Sequence, residues 1–317
     1  MKNVAAIFAI LILISGCEKN DLHKSGWINQ ESGTSNTLNS VFFINKDTGY
    51  TVGDGGIILA TINGGVTWTK QISGTTSNLS SVFFIENTGF AVSSQNAMIL
   101  RTTDGGAIWM PINTSQQNLL SVYFNDINNG YAVGGGGRIL KTIDGGATWS
   151  EQIKSGYALP SVCFTNDHTG YVVGFYGKIL KTIDSGTTWT DQIGESSAWY
   201  RSVYFPEINT GYVVGSGDSH VIILKTIDGG SSWISQDSGL AEGWPHSVFF
   251  TNANTGYIVG QFRSNSELIL KTTNGGETWT SQEIGISSEL NSVYFIGETG
   301  YTVGEQGIIM KTITGGN

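Results

Sequence analysis

The sequence predicts an all-β protein: a seven-bladed β-propeller with four-stranded blades, its ring closed by the N-terminal strand completing the last blade. Three observations predict it. Trp27, Trp68, Trp109, Trp149, Trp189, Trp233 and Trp279 follow one another at intervals of 41, 41, 40, 40, 44 and 46 residues. Between them the same four short segments recur, and a period of this length with four strands per unit points to a propeller. The last unit stops at Thr314-Gly315-Gly316-Asn317, where its fourth segment should begin, and the missing segment stands at the other end as Ser25-Gly26-Trp27-Ile28-Asn29-Gln30. Pairing the two ends removes the open edges that a linear array would leave.

The first segment of each unit reads Ser-Val-aromatic-Phe, beginning at Ser40, Ser81, Ser121, Ser161, Ser202, Ser247 and Ser292, with Cys163 in the aromatic place of the fourth unit. Both faces are apolar, as expected for a strand in a sheet sandwiched between two others. The second segment reads Gly-Tyr-x-Val-Gly in most units, with Phe90 replacing the tyrosine once. The third is Ile-Leu-Lys-Thr, whose lysine recurs as Lys141, Lys181, Lys225, Lys271 and Lys311. A ligand has no need of the same group all round a ring, so this lysine reads as scaffold. The fourth segment is Thr-Trp followed by polar residues.

Segments three and four are joined by Thr-x-Asp-Gly-Gly. Its turn residue is Asn63, Asp104, Asp144, Asp184, Asp228, Asn274 and, at the end of the chain, Thr314. A side-chain oxygen here accepts hydrogen bonds from backbone N–H groups just ahead, and the glycines allow positive φ. Carboxylate, amide and hydroxyl all serve, so the role is acceptance and not calcium binding, which needs charge and more oxygens.

Composition agrees. The 317 residues include 44 Gly and only 4 Pro, and 13% are charged, which suits short strands and tight turns. The net charge is −9 with only 16 Lys and Arg, which argues against nucleic acid as a partner.

The first residues differ from the rest. Met1-Lys2-Asn3 precedes an apolar run from Val4 to Ile14, too short to span a bilayer. Leu13-Ile14-Ser15-Gly16-Cys17 resembles the bacterial lipobox, in which the cysteine is acylated and becomes the new N-terminus. The expected organisation is a lipoprotein signal peptide over 1–16, a lipidated Cys17 and tether over 17–24, and the propeller over 25–317. The protein would then be exported and membrane-anchored in the bacterial cell envelope, facing the periplasm or at the cell surface, touching the membrane through its acyl chains alone. Cys163 has no second cysteine to pair with in the mature chain and reads as a buried apolar residue.

The Thr-x-Asp-Gly-Gly-x-Thr-Trp turn resembles the Asp-box of sialidase-type propellers and sortilin-like receptors. Together with Gly-Tyr-x-Val-Gly and Ile-Leu-Lys-Thr, the pattern over residues 25–317 is most similar to the photosystem II assembly and stability factor family of seven-bladed propellers. The resemblance implies a scaffold that holds or assembles a protein partner, and the protein is expected to be a monomer. It transfers no partner-binding residue to a position here.

Candidate site residues come from where the units depart from one another. The connections between strands two and three, and from strand four to the next blade, lie at the end of the ring opposite the Asp-boxes. Blades four to six carry the unusual residues there: Tyr157, Tyr176, Trp199, Tyr200, Arg201, Asp218, His220, Glu242, Trp244, His246, Arg263 and Glu267. Aromatics with a few charges make a binding face. A sialidase would need three arginines about one carboxylate, and the mature chain has only Arg101, Arg138, Arg201 and Arg263, with Arg101 at the repeated lysine place. A second reading remains: a glycan-binding or glycoside-hydrolysing propeller using two of the loop acids Asp54, Asp218, Glu242, Glu267 and Glu305. The histidines lack metal-ligand spacing, and no cofactor or metal is expected.

Overall fold

The computed structural model describes residues 26–96, 98–114, 118–153, 156–192, 194, 197–218, 220–262 and 266–316. The expected signal peptide and tether, Cys17 and Arg263 lie outside the described residues. Within them are seven antiparallel sheets of four strands each. The first blade comprises Leu38–Phe43, Gly49–Gly53, Ile58–Thr61 and Thr69–Gln71, ordered from the channel outwards. The last comprises Leu290–Ile296, Thr299–Gly304 and Ile309–Thr312, completed on its outer edge by Trp27–Gln30. That closing pair is antiparallel, with Trp27 opposite Thr312 and Gln30 opposite Ile309. The expected closure is the observed one.

Each seam between blades repeats one aromatic arrangement. The last Phe of a blade's innermost strand lies flat on the second-segment ring of the preceding blade: Phe43 on Tyr301, Phe84 on Tyr50, Phe124 on Phe90 and Phe250 on Tyr212, each with centroids 3.8 Å apart. The Trp of the same blade meets that Phe edge-on, as Trp68 meets Phe43 at 6.0 Å and 87°. Such offset and T-shaped pairs each add about 1 kcal/mol beyond their buried area. The Gly of Gly-Tyr makes room for the Phe. A Cβ built on Gly49 would lie 2.5 Å from Phe43 Cε1.

Two polar contacts lock the same seams. A Ser hydroxyl of one innermost strand accepts the Val N–H of the next, as Ser40 does from Val82, Ser247 from Val293 and, across the closure, Ser292 from Val41, at 3.2–3.3 Å. The second-segment Tyr hydroxyl and the third-segment Lys Nζ both donate to one carbonyl in the next blade's Asp-box turn. Tyr171 and Lys181 reach Gly229 O at 2.7 and 2.6 Å, and Tyr301 and Lys311 reach Gly64 O at 2.8 and 2.6 Å. The repeated lysine is scaffold, as its periodicity implies.

The Asp-box works by acceptance. Asp144 Oδ1 accepts from Thr142 Oγ1 at 2.8 Å and from the Thr148 N–H at 2.9 Å, while Thr148 Oγ1 donates to Oδ2 at 2.5 Å. These bonds, the Thr148 hydroxyl foremost, pull the Asp144 carboxyl down to about 2. Asn63 and Asn274 keep the backbone bond and reverse the other, their amides donating to Thr67 and Thr278 at 2.9 and 3.0 Å. The hydroxyl's freedom to donate or accept is what makes Asp and Asn interchangeable here.

Blades five and six differ at the opposite end. The connections that read as long loops are extended hairpins: Gly211–Gly217 pairs His220–Thr226 out to Gly217 opposite His220, and Gly256–Phe262 pairs Ser266–Thr272 out to Phe262 opposite Ser266. The residues on both sides of Asp218 continue the ladder instead of looping. Cys163 is buried and burial pushes its thiol pKa up, consistent with an inert core residue.

Gly49→Ala should destabilise the protein by about 1–3 kcal/mol, because the new methyl overlaps the Phe43 ring. Gly74→Ala, with φ +71 but nothing within 4 Å, should lose only the left-handed strain, about 1 kcal/mol. Chemical denaturation of the two variants checks the order.

Candidate functional site

At the end opposite the Asp-boxes, the turn between strands two and three of blade four is Gly174-Phe175-Tyr176-Gly177. The corresponding turns of blades one, three and seven place Gly55, Gly136 and Gln306 in the left-handed region at φ 66, 70 and 55. Tyr176 occupies that conformation at φ 59, an unfavourable one for a bulky side chain. Its ring packs on Tyr157 at 4.3 Å. Phe175 bridges to Trp199 of blade five through the backbone, and their rings stack at 5.2 Å and 22°. Tyr157, Tyr176 and Trp199 are 45%, 51% and 46% exposed, although aromatic residues elsewhere fill the core. The result is one aromatic ridge crossing from blade four to blade five.

The ridge continues into a pocket. Ser197, Trp199, Ser216, Gly217, Asp218 and Trp244 enclose a volume of about 280 Å³ between the extended hairpin of blade five and the strand entering blade six. Trp199, Asp218 and Trp244 are thus brought together by the fold.

Arg201 and His246 form a second group. Arg201 lies 6.0 Å from the Phe175 ring, and its Nε finds no acceptor among the described residues. His246 Nδ1 is 3.0 Å from Glu289 Oε1. Burial first, and the Arg201 charge second, push the His246 imidazole down to about 4, so it is neutral at pH 7 despite its carboxylate neighbour. Burial and the nearby Glu305 push the Glu289 carboxyl up, against the pull of Arg201. Glu289 was not among the expected residues. The signal lies in the register: Arg201 and His246 stand just before the repeated Ser, where Asn39 and Asn291 donate to Leu79 O and Leu38 O of the next blade at 2.9 and 3.0 Å.

The other expected residues disperse. Tyr200 is fully buried in the core between blades four and five, because the residue two places before the repeated Ser is buried in every blade, as Leu38, Leu79 and Leu290 are. Glu267 is occupied structurally: its Oε1 accepts from the Ile284 and Gly285 N–H groups at 3.2 and 2.8 Å. Asp54 accepts from Asn39 Nδ2 at 3.0 Å. Glu242 is half-buried and partnered, and His220 is exposed on the blade-five hairpin. Among the described residues no group of three or more His, Cys, Asp or Glu could hold a metal ion.

A family model described as photosynthesis system II assembly factor YCF48 matches residues 19–118, 110–190, 152–240 and 241–317. The chain belongs to the YCF48 family. No curated protein matches it in sequence. Among solved structures, YCF48 bound to D1 peptide is 20% identical with a TM-score of 0.76, covering 91% of this chain and 97% of that one. YCF48 from Cyanidioschyzon merolae is 20% identical with a TM-score of 0.74, covering 90% and 98%. The GH74 enzyme of Niastella koreensis is 16% identical with a TM-score of 0.72, covering 90% of this chain and 53% of that one. At these identities each structure establishes the shared propeller and nothing finer. Within the YCF48 family's repeat, the ridge and pocket are this chain's departures from its own pattern.

Titration of His246 by NMR should inflect near 4, and Arg201→Gln should move the inflection upwards by removing a positive neighbour. The unfolded chain binds this proton near 6.5. Stability should therefore decline as pH falls from that value towards about 4, then lose this dependence below it.

Proposed function

We propose that this protein is an exported, lipid-anchored propeller that holds a protein partner on the loop end of blades four to six, without catalysis of its own. The observation that carries the reading is the exposed ridge of Tyr157, Tyr176, Phe175 and Trp199. It is held partly on a left-handed backbone, and among the described residues no other aromatic is as exposed as Tyr157, Tyr176 and Trp199. A bulky exposed ring kept on a left-handed backbone carries a cost that supports a functional role. A family member has been captured with a peptide, which supports a protein as the ligand class.

The chain's entry point agrees with an anchored role. Trp27 begins the closing strand beside the turn at Thr312 to Gly316, at the Asp-box end of the ring. A tether leaving there would turn the Asp-box end towards the bilayer and leave the ridge facing away from it. The same end carries the exposed Ile62, Ile143, Ile183, Ile227 and Ile313, one beside each of five turns. Hydrolysis by paired loop carboxylates draws little support, since Glu267 and Asp54 are occupied by structural hydrogen bonds.

Crosslinking of the full-length protein in native envelopes should yield a protein partner that Tyr157→Ala and Tyr176→Gly both lose. Tyr176→Gly should meanwhile leave stability unchanged or raise it by about 1 kcal/mol, since glycine adopts this backbone without strain. Retention of the partner by both variants would contradict the reading. Mass spectrometry of the mature N-terminus should show an acylated Cys17; an unmodified cysteine, or cleavage elsewhere, would remove the anchor from the account.

A further inference from the structure

The pocket beside the ridge has a chemistry that specifies more than a protein partner. At about 280 Å³ it falls just short of the roughly 300 Å³ at which drug-sized ligand sites begin. It has room for one extended side chain and not for an oligosaccharide. Its walls are two indoles, two serines, a glycine and one carboxylate, with no cationic residue among them. An indole face is negative by virtue of its π quadrupole, so two of them beside a carboxylate favour a positive guest. The Asp218 carboxylate is exposed and has no ion pair or hydrogen bond among the described residues. Arg201 lies by the Phe175 ring and feels the charge of Glu289, and does not line the pocket.

We propose that this pocket receives a lysine or arginine side chain of the partner, its charge set between the indoles of Trp199 and Trp244 and against the Asp218 carboxylate. The inference rests on the partner-binding reading of this face and gives the partner a chemistry: a basic peptide segment. The formal charge of −9 on the whole chain acts in the same direction, drawing such a segment in from a distance. The stacked Phe175–Trp199 pair holds one wall in place, so little ordering is required of the protein when the guest enters.

The test uses the full-length protein and four short peptides, acetyl-Gly-Gly-X-Gly-Gly-amide, with X as lysine, arginine, Nε-acetyl-lysine or glutamate. The readout is the indole N–H signals of Trp199 and Trp244 in NMR, assigned through Trp199→Phe and Trp244→Phe. The lysine and arginine peptides should shift these two signals, and the acetyl-lysine and glutamate peptides should bind about tenfold more weakly or worse. Asp218→Asn should weaken the lysine peptide by a similar factor of about ten while leaving the thermal midpoint in place, since asparagine accepts the left-handed backbone found at Asp218. Equal binding of lysine and acetyl-lysine peptides would overturn the proposal. So would an unaffected Asp218→Asn, or a xylo- or cello-oligosaccharide that shifts the same indoles more tightly. The envelope crosslink separates this failure from that of the wider reading. A partner retained by Asp218→Asn but lost with Tyr157→Ala leaves the face standing without the pocket. A partner retained by both removes the face as well.

Discussion

A phenylalanine at the end of each innermost strand holds the ring together. It lies on the aromatic ring of the blade before and takes the edge of its own blade's tryptophan, as Phe295 does with Tyr257 at 4.0 Å and Trp27 at 6.0 Å. One side chain thus joins three segments of sequence, two of them in its own blade and one in the neighbour. The glycine under it, the tyrosine hydroxyl beyond it and the lysine beside that hydroxyl all follow from the need to bring two sheets close and fill the gap between them. The turn carbonyl that receives both Tyr and Lys explains why Asp-Gly-Gly must sit where it does: the same turn that reverses one blade supplies the acceptor for another.

This scaffold uses its two ends differently. The Asp-box end is built from repeated contacts and receives the N-terminal strand. The other end carries the turns whose residues the seams leave free, and there blades four to six have acquired tyrosines, tryptophans and a charged group. Tyr176 carries the cost of a left-handed backbone at a turn where blades one and three have glycine and blade seven has Gln306, which sets it apart from the aromatics of the core. Arg201 and His246 show the opposite economy: they occupy a register position at which Asn39 and Asn291 bond the next blade, and add charge to it.

The fold was legible because its periodicity is written in residues that cannot be exchanged. Tryptophan spacing, the truncated last unit and the stray N-terminal Trp27 together specify seven blades and their closure. The Lys of Ile-Leu-Lys-Thr was legible as scaffold for the same reason. The site was only partly legible. Trp199, Asp218 and Trp244 stand apart from the repeat and do converge. Tyr200 also stands apart by identity, yet its register position is the one every blade points inwards, so its phenol went to the core. Glu267 is chemically indistinguishable in sequence from a free loop acid, and only the path of the chain at Ile284 and Gly285 occupies it. The hairpins of blades five and six read as loops because their length exceeds the repeat, and only the backbone pairing out to Gly217 and Phe262 makes them strands.

The most direct test of the account is of the closing strand. A chain beginning after Gln30 loses Trp27, its partners on Thr312 to Ile309 and the edge contact to Phe295. The account predicts that its thermal midpoint falls by about 10 °C, the effect of emptying a core tryptophan site in a domain of this size, and that a synthetic peptide of residues 26–31 raises it again. An unchanged midpoint, or one indifferent to the peptide, would show that the ring does not depend on its own N-terminus and would contradict the arrangement of both ends.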